Sequence, residues 1–168
     1  MLGQAGYNNY LRAGLLYPQA FITVHKNIIL NPAYIFFVQK HERSRKSVEH
    51  YLMNSIILQA TGKNFLLEDR NMLWDRFNVG SGARHYYRNR LKITQSFKIR
   101  EATIKVYAYD EIFYLFNENN LTRNRIALGT NCVFIVHLNV DIAWVRQWDK
   151  HSGNLNLFFI MGIWQFGK

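Results

Sequence analysis

Strand-like segments recur along the chain. Residues 21–30, 92–99 and 103–109 are predicted as strands. The first combines β-branched and aromatic side chains, and in the last apolar and polar positions alternate. Residues 125–138 and 154–163 are apolar at most positions, which is typical of strands that are buried on both faces. We therefore expect these last two segments to lie in the centre of a sheet.

Other segments between and around these strands predict helices. Residues 47–62 have apolar side chains at helical spacing, with a serine at the start and a glycine at the usual C-terminal position. Residues 110–118 begin with an aspartate, a residue type that caps helices, and continue with apolar side chains. Residues 69–77 predict a further short helix, and residues 139–153 predict a helix or a turn.

The order of these elements predicts an α+β fold with a single mixed β-sheet and helices packed on one face. The chain, residues 1–168, has the length of one domain. In this prediction residues 1–20 are an N-terminal extension. Residues 64–92 are a basic arm or insertion between the first long helix and the following hairpin.

Composition supports a packed core and points to a polyanionic partner. Hydrophobic residues make up 49% and charged residues 19% of the chain, which argues against global disorder. The formal net charge is +10 and the pI is near 9.9. Such an excess favours nucleic acid or an anionic membrane surface as the partner.

Several classes of protein are disfavoured by the sequence. Cys132 is the only cysteine, so neither an intrachain disulfide nor a thiolate metal cluster is available. We expect the protein to be in a reducing compartment and the Cys132 side chain to be buried. The apolar stretch at residues 157–164 is too short for a membrane-spanning helix. The N-terminus does not have the pattern of a secretory signal. Abundant Asn, Ile, Phe and Tyr have A/T-rich codons, which suggests an organelle genome and a mitochondrial matrix location.

The positive charge is concentrated in two segments. Between Arg84 and Lys105 there are seven cations and one acid, which gives +6 of the total +10. Residues 40–46 add a further +3. Tyr86 and Tyr87 lie within the first of these segments, and aromatic faces can stack on unpaired bases while guanidinium groups bind phosphates. The pattern predicts an RNA-binding surface.

Catalytic patterns are weak. The histidines are scattered without the spacing of a metal site, and no nucleophile with a matching base is evident. Glu68, Asp69 and Asp75 keep one alternative open, a small nucleic-acid enzyme that uses Mg²⁺. The prediction is nevertheless a non-enzyme without cofactor or metal.

Five short motifs resemble, in order, landmarks of the large-subunit ribosomal protein L-five family. They are "HKNIILN" (25–31), "ATGKN" (60–64), "SFKIRE" (96–101), "ALGTNCVFIVHLNVD" (127–141) and "GNLNLFFI" (153–160). The resemblance implies a structural constituent of the large ribosomal subunit that docks on rRNA of the central protuberance, 5S rRNA included. It also implies contacts with neighbouring ribosomal proteins, a small-subunit head protein and transfer RNA at the peptidyl site.

The resemblance and the charge pattern together nominate the RNA-binding residues. The resemblance contributes Lys26, Asn27, Asn31, Lys63, Lys98 and Arg100. The charge pattern contributes Lys40, Arg43, Arg45, Lys46, Arg84, Tyr86, Tyr87, Arg88, Arg90, Lys92 and Lys105. The hairpin after "SFKIRE" is shorter than in the family, which leaves the transfer-RNA contact open. A further alternative is an accessory subunit of a mitochondrial respiratory complex in the membrane, although no membrane span is expected.

Overall fold

The computed structural model describes residues 2–8, 13–40, 46–78, 82–99, 102–135 and 138–164, and nearly all of them lie in β-strands. The strands are β1 (Leu2–Asn8), β2 (Ala13–Gln19), β3 (Ile22–His25), β4 (Ile28–Lys40), β5 (Lys46–Thr61), β6 (Phe65–Asn78), β7 (Gly82–Ile99), β8 (Ala102–Leu115), β9 (Asn120–Ile135), β10 (Leu138–Asp149) and β11 (Leu155–Trp164). A 3-10 turn, Phe116–Glu118, follows β8 directly.

The strands form one sheet in which neighbours along the chain are mostly neighbours in space. The order is β1-β2-β4-β5-β6-β7-β8-β9-β10-β11, and β3 pairs with β4 beside this path. The β4–β5 pair is antiparallel and runs from Ile28 opposite Leu58 to Lys40 opposite Lys46. The β9–β10 and β10–β11 pairs are antiparallel as well. Antiparallel neighbours need only short connections, so no helical crossover is required.

The α+β prediction is wrong, because the described residues contain no α-helix. Residues 47–62, predicted as the clearest helix, form β5 with Met53 and Ile57 on its buried face and Leu52 and Ile56 on its exposed face. Apolar side chains on both faces of a strand match a helical stripe as well as an alternation. The length of the segment then favoured a helix, because strands usually have about 3–10 residues. β5 has 16 residues, so this criterion gave the wrong result.

The other predicted helices and the arm are strands too. Residues 64–92, predicted as a basic arm, form β6 and the first part of β7, while residues 139–153 form β10 and its following turn. Residues 110–118 lie at the end of β8 and in the 3-10 turn. Residues 154–163, expected at the centre of the sheet, lie in β11 at the end of the strand order. The strands predicted at 92–99 and 103–109 are confirmed within β7 and β8.

Two further expectations concern single features. No helix in the part of the chain that the structure describes is long and apolar enough to cross a membrane. Cys132, expected to be buried, is half-buried in β9.

The chain divides into two compact units, of which the first combines residues Met1–Leu58, Arg70–Arg88 and Tyr114–Asn120. Alternate side chains of β5 in this unit differ sharply in exposure. Met53 and Ser55 are 4% and 3% exposed, whereas Leu52 and Ile56 are 45% and 49% exposed. The buried apolar side chains of the unit are Met53, Ile57, Met72 and Leu115.

The second unit combines residues Gln59–Asp69, Asn89–Phe113 and Leu121–Lys168. Its buried apolar side chains are Tyr107, Phe113, Ala127, Ala143 and Val145. Gly129 lies among them on β9, opposite Ala143 of β10. A Cβ atom at Gly129 would lie 2.4 Å from Cζ of Tyr107, so the tyrosine ring occupies the space that a side chain would need.

We expect Gly129→Ala to lower the free energy of unfolding by about 1–3 kcal/mol, because the new methyl group overlaps the ring of Tyr107, which packing and a hydrogen bond hold in place. Tyr107 is buried and its hydroxyl donates a 2.7 Å hydrogen bond to Asp141 Oδ1. Denaturant unfolding measures the change. Gly162→Ala is the control, because a Cβ atom at Gly162 meets nothing within 4 Å. Equal losses in the two variants would contradict the packing described here.

Candidate functional site: a charged face opposite an apolar face

Glu49 is the centre of a buried polar cluster in the first unit. Its side chain is 8% exposed and lies on the buried face of β5. Arg76 Nη2 donates to Glu49 Oε1 over 2.5 Å, Asn78 Nδ2 donates to the same oxygen over 3.1 Å, and the Tyr51 hydroxyl donates to Oε2. Burial alone would raise the pKa of Glu49, but the hydrogen bonds from Arg76 and Tyr51 outweigh it, so the pKa is lowered.

Asn31 is a second buried polar group of the first unit, with 1% of its surface exposed. Its amide nitrogen donates to the Ala20 carbonyl oxygen over 2.8 Å. Its Oδ1 accepts a 3.1 Å hydrogen bond from Arg70 Nη2. Both ends of the amide are therefore satisfied inside the protein, and Asn31 is not on an accessible surface.

Glu111 has the corresponding position in the second unit, with a side chain that is 1% exposed. Arg90 Nε lies 3.8 Å from Glu111 Oε1, and Arg125 Nη1 lies 3.5 Å from Oε2. Arg125 also donates from Nε to Gln147 Oε1 over 2.6 Å. Two guanidinium groups thus surround one buried carboxylate, which compensates the cost of burying its charge.

Aromatic rings extend this charged face of the second unit. The Lys92 ammonium lies 4.3 Å from the ring centroid of Tyr107, and the Arg90 guanidinium lies 5.4 Å from that of Tyr109. Burial and the hydrogen bond to the Asp141 carboxylate raise the pKa of Tyr107, so its hydroxyl stays protonated. Arg90 and Lys92 of β7 are thus held on this face by contacts within the protein.

The opposite face of the second unit is apolar and exposed. On β9 and β10, Ile126, Leu128, Trp144 and Trp148 are 40%, 58%, 43% and 38% exposed. Additional large apolar side chains with 36% exposure or more in this unit are Phe65, Leu67, Leu91, Ile93, Phe97, Ile99, Val106, Leu121, Leu155, Phe158, Phe159, Ile160 and Met161. Some of these share the charged face instead, namely Leu155, Phe159 and Met161, which pair with Gln147, Ala143 and Asp141 of β10.

The first unit has a similar apolar surface. Its large apolar side chains with 39% exposure or more are Leu16, Phe21, Ile22, Val24, Leu52, Ile56, Leu58, Leu73, Phe77 and Phe116. In each unit, most of the ion-paired side chains are thus on the buried side of the strands, and most of the exposed large apolar ones are on the accessible side. Water-soluble sheets normally show the reverse arrangement.

Polar side chains on the accessible side are mostly paired. His85 Nδ1 and Asp75 Oδ1 are 2.7 Å apart in the first unit. In the second unit Asn89 Nδ2 donates to Asp69 Oδ1 over 2.6 Å, and Asn124 Nδ2 donates to Asp110 Oδ1 over 2.8 Å. The members of these pairs therefore satisfy one another within the protein. Arg146 is on the same side of β10 as Trp148, and its guanidinium group lies 5.6 Å from the ring centroid of that tryptophan.

The structure distributes the residues predicted to bind RNA over both units. Those with exposed side chains are Lys26, Asn27, Lys40, Lys63, Arg84, Lys98 and Lys105. Those that are half-buried are Tyr86, Tyr87, Arg88, Arg90 and Lys92. Asn31 is buried, whereas Arg43, Arg45 and Arg100, together with the side chain of Lys46, lie outside the described residues. RNA binding stays a prediction for the exposed cations.

The carboxylates of the metal-dependent alternative do not form a common site. Glu68 accepts a 3.2 Å hydrogen bond from Gln59, Asp69 is bonded to Asn89, and Asp75 is bonded to His85. No group of three or more His, Cys, Asp or Glu side chains within the described ranges could hold a metal ion.

The sequence interpretation missed the buried carboxylates Glu49, Glu111 and Asp149. A signal for them exists in "RNRIALG", where Arg123 and Arg125 share the period of two with Ala127 and therefore the same face. Charged side chains that share the period of two with small buried residues indicate a polar buried face.

Comparison with known proteins places the chain in a family without a described activity. A family model described as "Protein of unknown function (DUF2490)" matches residues 4–157, so the chain belongs to this family. No curated protein and no solved structure matches the chain. The resemblance to the ribosomal L-five family is therefore wrong, because the family that covers nearly the whole chain is a different one. The five short motifs on which it rested fall largely in long strands.

Asp149 generates a prediction for acid stability. Its side chain is 4% exposed. Burial would raise the pKa of Asp149, but hydrogen bonds from the Ser152 N–H group, from Arg123 over 2.5 Å and from the His151 N–H group outweigh burial and hold the pKa well below its usual range. As the pH falls, Asp149 is therefore protonated at a higher pH in the unfolded state than in the folded state. The stabilisation is present above about pH 4 and is lost as the pH falls further.

We expect Asp149→Asn to lower the free energy of unfolding at pH 7 by about 2–4 kcal/mol, because Arg123 then keeps a charge without its partner. The variant should also lack part of the decrease in stability between about pH 5 and pH 2. Denaturant unfolding across this pH range measures both effects. Asp75→Asn is the control, since the Asp75 side chain is 36% exposed. This substitution should lower the free energy of unfolding by less than about 1 kcal/mol. Losses of the same size would contradict the special role of Asp149.

Proposed function

We propose that this member of the DUF2490 family works in a lipid bilayer, with the apolar side of its strands against the acyl chains. The observation that carries the proposal is the exposure of Leu128 and Trp144 opposite a face that buries Glu111 between Arg90 and Arg125. Strands in membranes alternate in this sense, with apolar side chains toward lipid and polar ones away from it.

Energetics favour a lipid environment over water for this surface. Full burial of one large apolar side chain stabilises by roughly 1.5–3 kcal/mol. The exposed side of the second unit alone carries many such side chains, among them Ile160 and Phe158 with 69% and 67% exposure. Soluble monomers rarely expose contiguous apolar patches of more than a few hundred Å². Contact with acyl chains removes this cost without any further protein partner.

Strand length supports the same proposal. A strand needs about 9–11 residues to cross the hydrocarbon layer of a bilayer. β5 to β10 have 16, 14, 18, 14, 16 and 12 residues, respectively. Each is longer than the minimum. Pairs such as Asp75–His85, near the end of β6 and the start of β7, would lie where the strands leave the hydrocarbon. Asp69–Asn89 lies further along the strands, and its 2.6 Å hydrogen bond lowers the cost of placing it in lipid.

The ribosomal role and the mitochondrial matrix location stay predictions without a structural test. The RNA binding that this role requires was supported by the concentration of cations from residue 84 onward, and Arg90 and Lys92 in that segment already contact Glu111 and Tyr107. An accessory role in a membrane complex agrees with the lipid-facing surface, but no described feature identifies a complex.

Tryptophan fluorescence distinguishes a lipid-embedded surface from a water-exposed one. We expect a variant that keeps only Trp144 to be strongly quenched by lipids with brominated acyl chains, because Trp144 is 43% exposed on the apolar side. The control keeps only Trp74, which lies between the rings of Tyr51 and Tyr86 on the buried side and should be quenched less. Equal quenching, or co-sedimentation of the full chain with ribosomes instead of membranes, would exclude the proposal.

A single charge on the apolar side tests the energetics directly. We expect Leu128→Arg to destabilise the chain in lipid by about 2–4 kcal/mol, because the arginine has to leave water. Asn124→Arg is on the same side of β9 and should destabilise the chain less, because Asn124 lies beside the Asp110 carboxylate. Unfolding from lipid vesicles measures both values. On a water-exposed surface Leu128→Arg would be nearly neutral, and that outcome would argue against lipid contact.

A further inference from the structure

A small polar cavity lies where β6 ends and β7 begins, within the first unit. It has a volume of about 100 Å³ and is lined by Arg76, Asn78, Gly82 and Arg84. A cavity of this size is roomier than one water molecule requires. Its lining contains two guanidinium groups, a carboxamide and a glycine backbone, all of which offer hydrogen-bond donors.

Positive charge exceeds negative charge around this cavity. Glu49 is the carboxylate hydrogen-bonded to the cavity residues. Its Oε1 atom accepts hydrogen bonds from Arg76 Nη2 over 2.5 Å and from Asn78 Nδ2 over 3.1 Å. One carboxylate therefore compensates one guanidinium group. Arg84 is exposed and makes no hydrogen bond or ion pair with another described residue. The cluster retains one uncompensated positive charge.

One donor of Arg76 is also unsatisfied. Its Nε atom is buried and has no hydrogen-bond partner in the described part of the chain. Buried donors without a partner are rare in proteins and usually mark the position of a water molecule or an ion. Arg76 and Arg84 both line the cavity. The unsatisfied donor of Arg76 and the guanidinium group of Arg84, which has no partner among the described residues, favour a negatively charged occupant.

The backbone at Gly82 leaves room for such an occupant. Gly82 has φ +77°, and a Cβ atom built there would meet nothing within 4 Å. The absence of a side chain permits close approach of a ligand to the backbone. Guanidinium groups match the geometry of tetrahedral oxyanions, which they bind through two parallel hydrogen bonds.

We propose that this cavity binds a small free oxyanion of the phosphate class, with Arg84 and Arg76 as its main contacts. The site lies on the side of the strands that carries Glu49, not on the apolar side, so its ligand comes from water. The proposal is independent of lipid contact, because the same cavity exists whether or not the apolar side is in a bilayer.

Calorimetric titration of the folded full chain with inorganic phosphate tests the site. The protein is kept in a non-ionic detergent without phosphate groups at low chloride concentration. We expect one saturable site in the wild type. Arg84→Gln should weaken the affinity at least about tenfold, because a charge-assisted hydrogen-bond pair is lost. Lys105→Gln removes one exposed charge in the second unit and should change the affinity by less than about twofold.

Three outcomes would overturn the site: no saturable binding in the wild type, equal weakening in both variants, or a signal that requires phospholipid vesicles instead of free phosphate. Circular dichroism checks the fold of each variant. If Arg84→Gln fails to fold, Arg84→Lys replaces it. Lysine keeps the positive charge but lacks the planar guanidinium group that donates two parallel hydrogen bonds. A weakening of at least about threefold is then expected, and wild-type affinity contradicts the proposal.

Discussion

Compensation of buried carboxylates by cations on one side of the strands is the constraint on which the rest of the structure depends. Glu49 and Glu111 have side chains that are 8% and 1% exposed, and each is met by an arginine. An isolated carboxylate at either position would be strongly destabilising. Because successive side chains of a strand point to opposite sides, this polar side leaves the intervening positions, such as Leu52 and Ile112, to the other side.

The same constraint changes the meaning of the net charge. A formal charge of +10 suggests a surface for a polyanion, but Arg90, Arg123 and Arg125 are engaged with Glu111 and Asp149 in the second unit. Cations that serve as partners of buried carboxylates are held in place by aromatic rings and hydrogen bonds. They stabilise the fold, and a smaller set of exposed cations remains for ligands. Charge counted along a sequence does not separate these two groups.

Helix and strand were confused for a physical reason. The segment from Ser47 to Gly62 has apolar residues on both sides of a strand that is longer than usual, so neither period nor length separated the alternatives. Predictions succeeded where one side was clearly polar, as in "TIKVYAY" of β8. The same reason applies to residues 69–77, which were predicted as a short helix and lie in β6.

The sequence by itself determined the composition, the single cysteine, the excess of positive charge and the alternating pattern of several strands. Only the tertiary structure decided which side of each strand is buried, because that depends on how the side chains of neighbouring strands, such as β5 and β6, pack against one another. Arg76 and Glu49 are 27 positions apart, yet their side chains form one ion pair. Alternation tells which residues share a side, whereas packing alone assigns that side to the interior or to the surroundings.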